Sequence, residues 1–259
     1  MSGFLFEHII FGPVRSRRLG ISLGINLLPE GIKHCTFNCL YCECGWTVVP
    51  GDKPLTWPPR EVVRRQLENR LSAMATRKAL LTNITFAGNG EPTLHPDFPG
   101  IIDDAIVLRD RHYPDAGISV LSNASTAGDD AIAGALLKVD QNILKLDAGT
   151  EETFRRINQP QIPLSLQQVL ENLERFRGQM ILQTLFVRGI LNGQAFDNTT
   201  EEELAHWLGH LDRLRPRSVM IYPVARATPA EDVRKVPQEE LLDIARRVEA
   251  LGIPAEVYG

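Results

Sequence analysis

The stretch His34-Cys35-Thr36-Phe37-Asn38-Cys39-Leu40-Tyr41-Cys42-Glu43-Cys44 decides how the rest of the chain is read. Its C-x-x-x-C-x-x-C spacing puts Cys35, Cys39 and Cys42 on one tight loop, able to hold three irons of a cubane cluster and leave the fourth without a protein ligand. An iron with an open position is a reaction site. Tetrahedral zinc competes, because Cys44 makes four cysteines. Structural zinc sites usually join two separate ligand pairs, however, and this loop would staple only itself. A disulfide framework fits less well: a chain of 259 residues buries a core without staples, and clustered cysteines without a signal peptide point to a reducing compartment. Cys44 stays outside the cluster set. It is read as a second-sphere thiol, a reactive group near the substrate, or a small residue in a crowded loop.

Working outward, residues 21–28 read as a strand ending in Pro29, so the cysteine loop begins at a strand's carboxyl end. Residues 80–87 are apolar and β-branched enough for a second strand, which delivers Phe86-Ala87-Gly88-Asn89-Gly90-Glu91-Pro92-Thr93. Glycines there permit positive φ and a close backbone approach to a ligand. Taken alone this segment is an ordinary turn. One βα unit after a three-cysteine loop with Tyr41 before its last cysteine, it resembles the glycine-glutamate segment of the radical S-adenosylmethionine (radical SAM) enzymes, which grips the methionine end of the cofactor.

The resemblance implies a 4Fe-4S cluster whose free iron is chelated by the amino and carboxylate groups of S-adenosylmethionine (SAM). An electron from the reduced cluster then breaks the sulfur to C5′ bond, and the resulting 5′-deoxyadenosyl radical removes hydrogen from a substrate. It also implies an electron donor such as flavodoxin or ferredoxin. Carried over by position, Cys35, Cys39 and Cys42 hold the cluster, and Gly88, Asn89, Gly90 and Glu91 form the methionine-binding turn, with Glu91 accepting the ammonium. Ser122, Asn123, Lys145, Asp147 and Gln183 are candidates for the cofactor's ribose or carboxylate, and Tyr41 or Tyr222 for packing on its adenine. For each of these the competing reading is a polar group that satisfies local backbone.

Further strands are expected over residues 118–121, 143–146, 180–187 and 219–224, with helices between them. The first helix follows Thr56-Trp57-Pro58-Pro59 and carries Val63, Leu67, Leu71 and Met74 on one face; Asp97 caps the second. Thr199-x-x-Glu202 is read as a capping box, and a last helix runs from near Pro237 to a stop at Gly252. Six alternating strands and helices predict an α/β fold with a parallel sheet, a partial (βα)6 barrel with its chemistry at the strands' carboxyl ends. The expected organisation is one domain over residues 1–259: an extension over 1–19, a core over 20–252 and an edge segment over 253–259, where Pro254 denies a central place.

A formal charge of -4 gives no electrostatic case for strong nucleic-acid binding. The first seven residues are too short an apolar run for a signal peptide, and no stretch reaches the length of a bilayer span, so a cytoplasmic protein is expected. Arg15, Arg17 and Arg18 could bind phosphate or carboxylate, although a charge run is usually a solvated face. His206 and His210 share a helical face, but no third metal ligand is in sight.

The motifs at residues 11–20, 183–189 and 222–229 resemble those of the group related to the tRNA wyosine synthetases. Those enzymes carry further cysteines ahead of the loop for a second cluster, and this chain has none before Cys35 or after Cys44. Fold and cofactor are therefore expected to transfer, and the substrate (small molecule, peptide or RNA) is left open. An activating enzyme for a glycyl-radical protein, a tRNA-modifying enzyme and a non-catalytic iron-sulfur or zinc module stand as alternatives. Substrate contacts are expected from residues 188–198 and 226–236, since variable loops carry specificity.

Overall fold

The computed structural model describes residues 4–47 and 55–259; residues 1–3 of the expected extension lie outside the described residues. The first strands form an antiparallel hairpin of β1 (Ile10–Ser16) and β2 (Gly20–Ile25), so residues 10–16 of that extension belong to the sheet. There follow α1 (Arg60–Thr76), β3 (Asn83–Phe86), α2 (Phe98–His112), β4 (Gly117–Ser122), α3 (Asp130–Lys138) and β5 (Gln141–Lys145). Two short helices, α4 (Glu151–Ile157) and α5 (Leu166–Glu174), precede the long β6 (Ile181–Leu191). Then come β7 (Gln194–Asp197), α6 (Glu201–Leu214), β8 (Ser218–Pro223), β9 (Asp232–Lys235), α7 (Gln238–Glu249) and β10 (Ala255–Val257).

The sheet runs β1-β2-β3-β4-β5-β6-β8-β10. Every neighbouring pair from β2 onward is parallel. β1 and β10 stand at its two ends and do not pair, so the sheet is curved but unclosed. Burial explains the strand composition: Asn83, Ile84, Thr85 and Phe86 of β3 are all buried, as expected where helices cover one face and a barrel interior the other. Val63, Leu67, Leu71 and Met74 of α1 are buried on its sheet-facing stripe. The main apolar core lies between helices and sheet; a second, smaller cluster of Leu19, Ile143, Met220 and Tyr222 is separate from it.

One local expectation is corrected. The cap of α6 is Thr200, which accepts from the Glu203 N–H at 3.3 Å, one residue later than the pattern at Thr199. Glu203 does not reach back to its own cap, because its carboxylate is taken by the N–H groups of Gly149 and Thr150. α4 and α5 escape a reading by periodicity because each is too short to repeat its apolar stripe, although Ser165 and Gln168 form a complete capping box. His210 bonds the carbonyl of Gly149 at 2.8 Å, so it ties α6 to the sheet. No helix among the described residues is long and apolar enough to cross a membrane.

Candidate active site

The cysteine loop joins β2 to α1 and is held by main chain on both flanks. On one side His34 N–H donates to Asn89 O at 2.8 Å and Glu91 N–H donates to His34 O at 3.1 Å. This contact explains Gly90: its φ is +140°, and a Cβ there would lie 1.8 Å from the His34 oxygen. On the other side Asn38 N–H donates to Asn158 O at 3.0 Å, Leu40 N–H to Ile157 O at 3.0 Å, and Gln161 N–H to Thr36 O at 2.7 Å. The thiols are thereby fixed relative to the carboxyl ends of β3 and β5 before any ligand is present.

All four cysteines are free, and their surroundings differ. Burial, then the nearby Glu91, pushes the Cys35 thiol up to about 12; burial also raises Cys39. Cys42 goes the other way, to about 5, because the Cys44 thiol donates to it and Lys33 lies near. Nitrogen donors reach two of the sulfurs: Phe37 N–H at 3.4 Å and Asn123 Nδ2 at 3.6 Å to Cys35 Sγ, and Asn158 Nδ2 at 3.4 Å to Cys39 Sγ. Lys33 is 2 % exposed, and its Nζ donates to the Gly45 carbonyl at 2.8 Å. Burying an amine so completely is costly unless negative charge stands beside it. Thiolates, N–H···S donors and a buried amine suit an anionic iron-sulfur cluster, whose potential such hydrogen bonds tune.

Several of the sequence-predicted residues have structural partners. Asn89 is wholly buried and clamps the N-terminal strap, accepting from Phe6 N–H at 2.7 Å and donating to Phe6 O at 2.9 Å. Glu91, also buried, accepts from Asn123 N–H at 2.7 Å and from the Thr93 N–H and hydroxyl at 3.2 and 2.6 Å. Burial raises its pKa, against those hydrogen bonds. Oε1 accepts both Thr93 donors and Oε2 the Asn123 N–H, so the carboxylate ties the β3 and β4 loops together. Ser122 caps its own loop at Ala124 N–H. Asn123 reaches over to the cysteine loop at Thr36.

Tyr41, Lys145 and Asp147 form one network under the loop. Tyr41 donates to Asp147, Lys145 Nζ donates to the Tyr41 hydroxyl at 2.9 Å and stands 3.5 Å from Asp147 Oδ2, and Asn158 Nδ2 donates to that oxygen at 2.7 Å. Burial would lower the Lys145 pKa, but Asp147 and the Cys39 and Cys42 thiols outweigh it and raise it. Asn158 thus links the network to Cys39. The only local signal for Asn158 is that it closes a short helix just before Pro160, so sequence reading passed over it, as it did over Lys33.

Above this network lies a cavity of about 540 Å³. Tyr41, Cys44, Ala87 and Gly88 line its cysteine-loop side, where Cys44 Sγ stands 3.3 Å from Gly88 O. The N-terminal strap and β1 supply a wall: Phe6 and Phe11 stack at 3.8 Å, and Phe11 lies where any side chain on Gly24 would be. Gln183 and Tyr222 line it from β6 and β8. Tyr222 is flanked by Arg18, 4.7 Å from its ring centroid, and by the Tyr258 ring at 5.2 Å. Residues 188–198 and 226–236 are those from which substrate contacts are expected. They contain β7 and β9, which pair with the far half of β6, and Arg226 alone of the two segments lines the cavity.

The family model described as the radical SAM superfamily matches residues 30–208. A Brachyspira hyodysenteriae protein named GTPase Obg is 30% identical over 254 residues, 93% of this chain and 33% of that protein. This chain therefore corresponds to about a third of that relative. A UPF0026 protein of Methanocaldococcus jannaschii is 30% identical over 238 residues, 90% of this chain and 68% of the relative. Among solved structures, a radical SAM methyltransferase from Sphaerobacter thermophilus superposes with a TM-score of 0.66 at 16% identity, over 92% of this chain and 65% of that one. Archaeal TYW1 does so with 0.54 at 14% identity, over 88% and 71%. At those identities the structural likeness establishes the fold.

Proposed function

The chain belongs to the radical SAM superfamily, and from that premise we propose that it is an enzyme that holds a 4Fe-4S cluster on Cys35, Cys39 and Cys42 and uses SAM to start radical chemistry on a substrate in the cavity. When bound, cluster and cofactor supply reductive cleavage of the sulfur to C5′ bond, with methionine and a hydrogen-abstracting 5′-deoxyadenosyl radical as products. The observation that carries this reading is the backbone docking of the cysteine loop onto the Gly88 to Glu91 turn at the edge of the cavity.

The chain's own residues fix position and exclude water. Gly90 lets the turn approach His34, and Glu91 locks that turn to Asn123, so the three thiols and the Ala87 and Gly88 backbone keep one geometry. Lys33 and the N–H···S donors from Asn123 and Asn158 offset negative charge at the sulfurs. Tyr41, Lys145 and Asp147 form one hydrogen-bonded network beside the cysteine loop, of which Tyr41 lines the cavity. Phe6 and Phe11 cover the apolar side of the cavity and keep solvent from it. An external reductant, such as flavodoxin or ferredoxin, would deliver the electron, and the free thiols suit the reducing cytoplasm.

The reading is tested by anaerobic reconstitution with iron and sulfide. It expects about four irons per chain and an electron paramagnetic resonance signal of the reduced protein that changes when SAM is added. Full iron content with a signal indifferent to SAM would exclude the cofactor role.

A further inference from the structure

Four arginines line the cavity, Arg15, Arg17, Arg18 and Arg226, against one carboxylate, Glu43. Arg226 already pairs with Glu43 at 2.7 Å. In a chain of formal charge -4, this concentration of unbalanced positive charge inside a cavity is the opposite of the protein's overall balance.

Arg18 is the centre of it. The β1–β2 turn carries Arg18 across the open side of the sheet, where its Nη1 donates to Tyr222 Oη at 3.1 Å and to Gln183 Oε1 at 3.4 Å. Both partners are neutral. Neither Arg18 nor Arg15 is in an ion pair among the described residues. The Glu256 carboxylate, on the neighbouring edge strand, accepts from the Tyr258 hydroxyl, and Arg17 donates to the main-chain oxygen of Gly259. Because both side-chain bonds of Arg18 leave from Nη1, its Nε and Nη2 edge has no partner among the described residues. That edge is the two-donor fork that matches a carboxylate or a phosphate. Stacking on Tyr222 holds the guanidinium plane in place, so little side-chain entropy is left to lose on binding.

We infer that Arg18, supported by Arg15, Tyr222 and Gln183, binds an oxyanion group of the substrate, so that the enzyme acts on a carboxylated or phosphorylated molecule. This rests on the reading that the cavity is the substrate site. The two oxyanions share the same recognition chemistry, and competition with SAM distinguishes a substrate group from the cofactor's own carboxylate.

The test is calorimetric titration of the anaerobically reconstituted protein, saturated with SAM, using inorganic pyrophosphate in one arm and succinate in the other at fixed ionic strength. At least one probe is expected to bind, with affinity reduced about tenfold or more in Arg18→Gln and by a smaller factor in Arg18→Lys, which keeps the charge and loses the fork. Tighter binding of pyrophosphate would identify a phosphate, tighter binding of succinate a carboxylate. Arg65→Gln, exposed on α1, serves as the control for general charge loss. Binding equal in wild type and Arg18→Gln, no binding of either probe, or displacement of SAM by the probe would each overturn the inference. A folded Arg18→Gln is verified by its circular dichroism; should it not fold, the Arg18→Lys affinity alone decides, with no weakening counting against the site. The titration reads binding alone, so it can fail while the wild-type protein still cleaves SAM, and the reverse.

Discussion

Asn158 stands with its side-chain nitrogen 3.4 Å from Cys39 Sγ and 2.7 Å from Asp147 Oδ2, joining a proposed cluster thiolate to the network that Tyr41, Lys145 and Asp147 form. Replacing it by leucine removes an N–H···S bond and leaves buried Asp147 short of a donor. The expected cost is about 1–3 kcal/mol in urea unfolding, with a more negative midpoint in a redox titration of the reconstituted protein, because a hydrogen bond to sulfur favours the reduced state. Unchanged stability and potential would show that Asn158 fills space only.

Gly90 and Gly134 make opposite predictions for the same substitution. Gly90→Ala adds a Cβ 1.8 Å from a backbone oxygen at a φ of +140°, so it should cost at least about 3 kcal/mol and lower the iron bound per chain. Gly134 lies inside α3 with nothing within 4 Å of an added Cβ, and Gly134→Ala should stabilise by about 0.5–1 kcal/mol. Thermal denaturation of the two variants checks both signs.

The metal-free protein should show one acidic thiol. Cys42 is held near 5, below the ordinary thiol value of 9.0, first by the Cys44 hydrogen bond and then by Lys33. A group depressed in the folded state contributes its stability fully above its unfolded pKa and loses it as pH falls through the folded one. That contribution should therefore grow between about pH 5 and pH 9. Cys44→Ala removes the main cause, so the thiolate absorbance titration should move upward and the growth of stability over that window should shrink. A titration midpoint that stays put would mean that Lys33 alone sets the thiolate.

The cysteine loop, the glycine turn and the strand sequence were legible because each is a local pattern: spacing of thiols, glycines after a strand, apolar alternation with helices. What joins them was not. Asn158 is 119 residues from Cys39 and Arg18 is 204 from Tyr222; only the curvature of the sheet brings such pairs together. Glu91 shows the converse. A position legible from a local motif also has partners that the motif does not name, Asn123 and Thr93, since a buried carboxylate must find donors wherever the fold supplies them. The hairpin at residues 10–25 was missed as a sheet edge because Pro13 and the arginine run mask its strand pattern.

The central claim is that three thiolates on this loop support SAM cleavage, and product formation tests it most directly. The reconstituted protein is given dithionite and SAM without oxygen, and 5′-deoxyadenosine is quantified beside a Cys39→Ala control. The account predicts product from the wild type and none above background from the variant. A wild-type protein with its full iron content and no 5′-deoxyadenosine would contradict it.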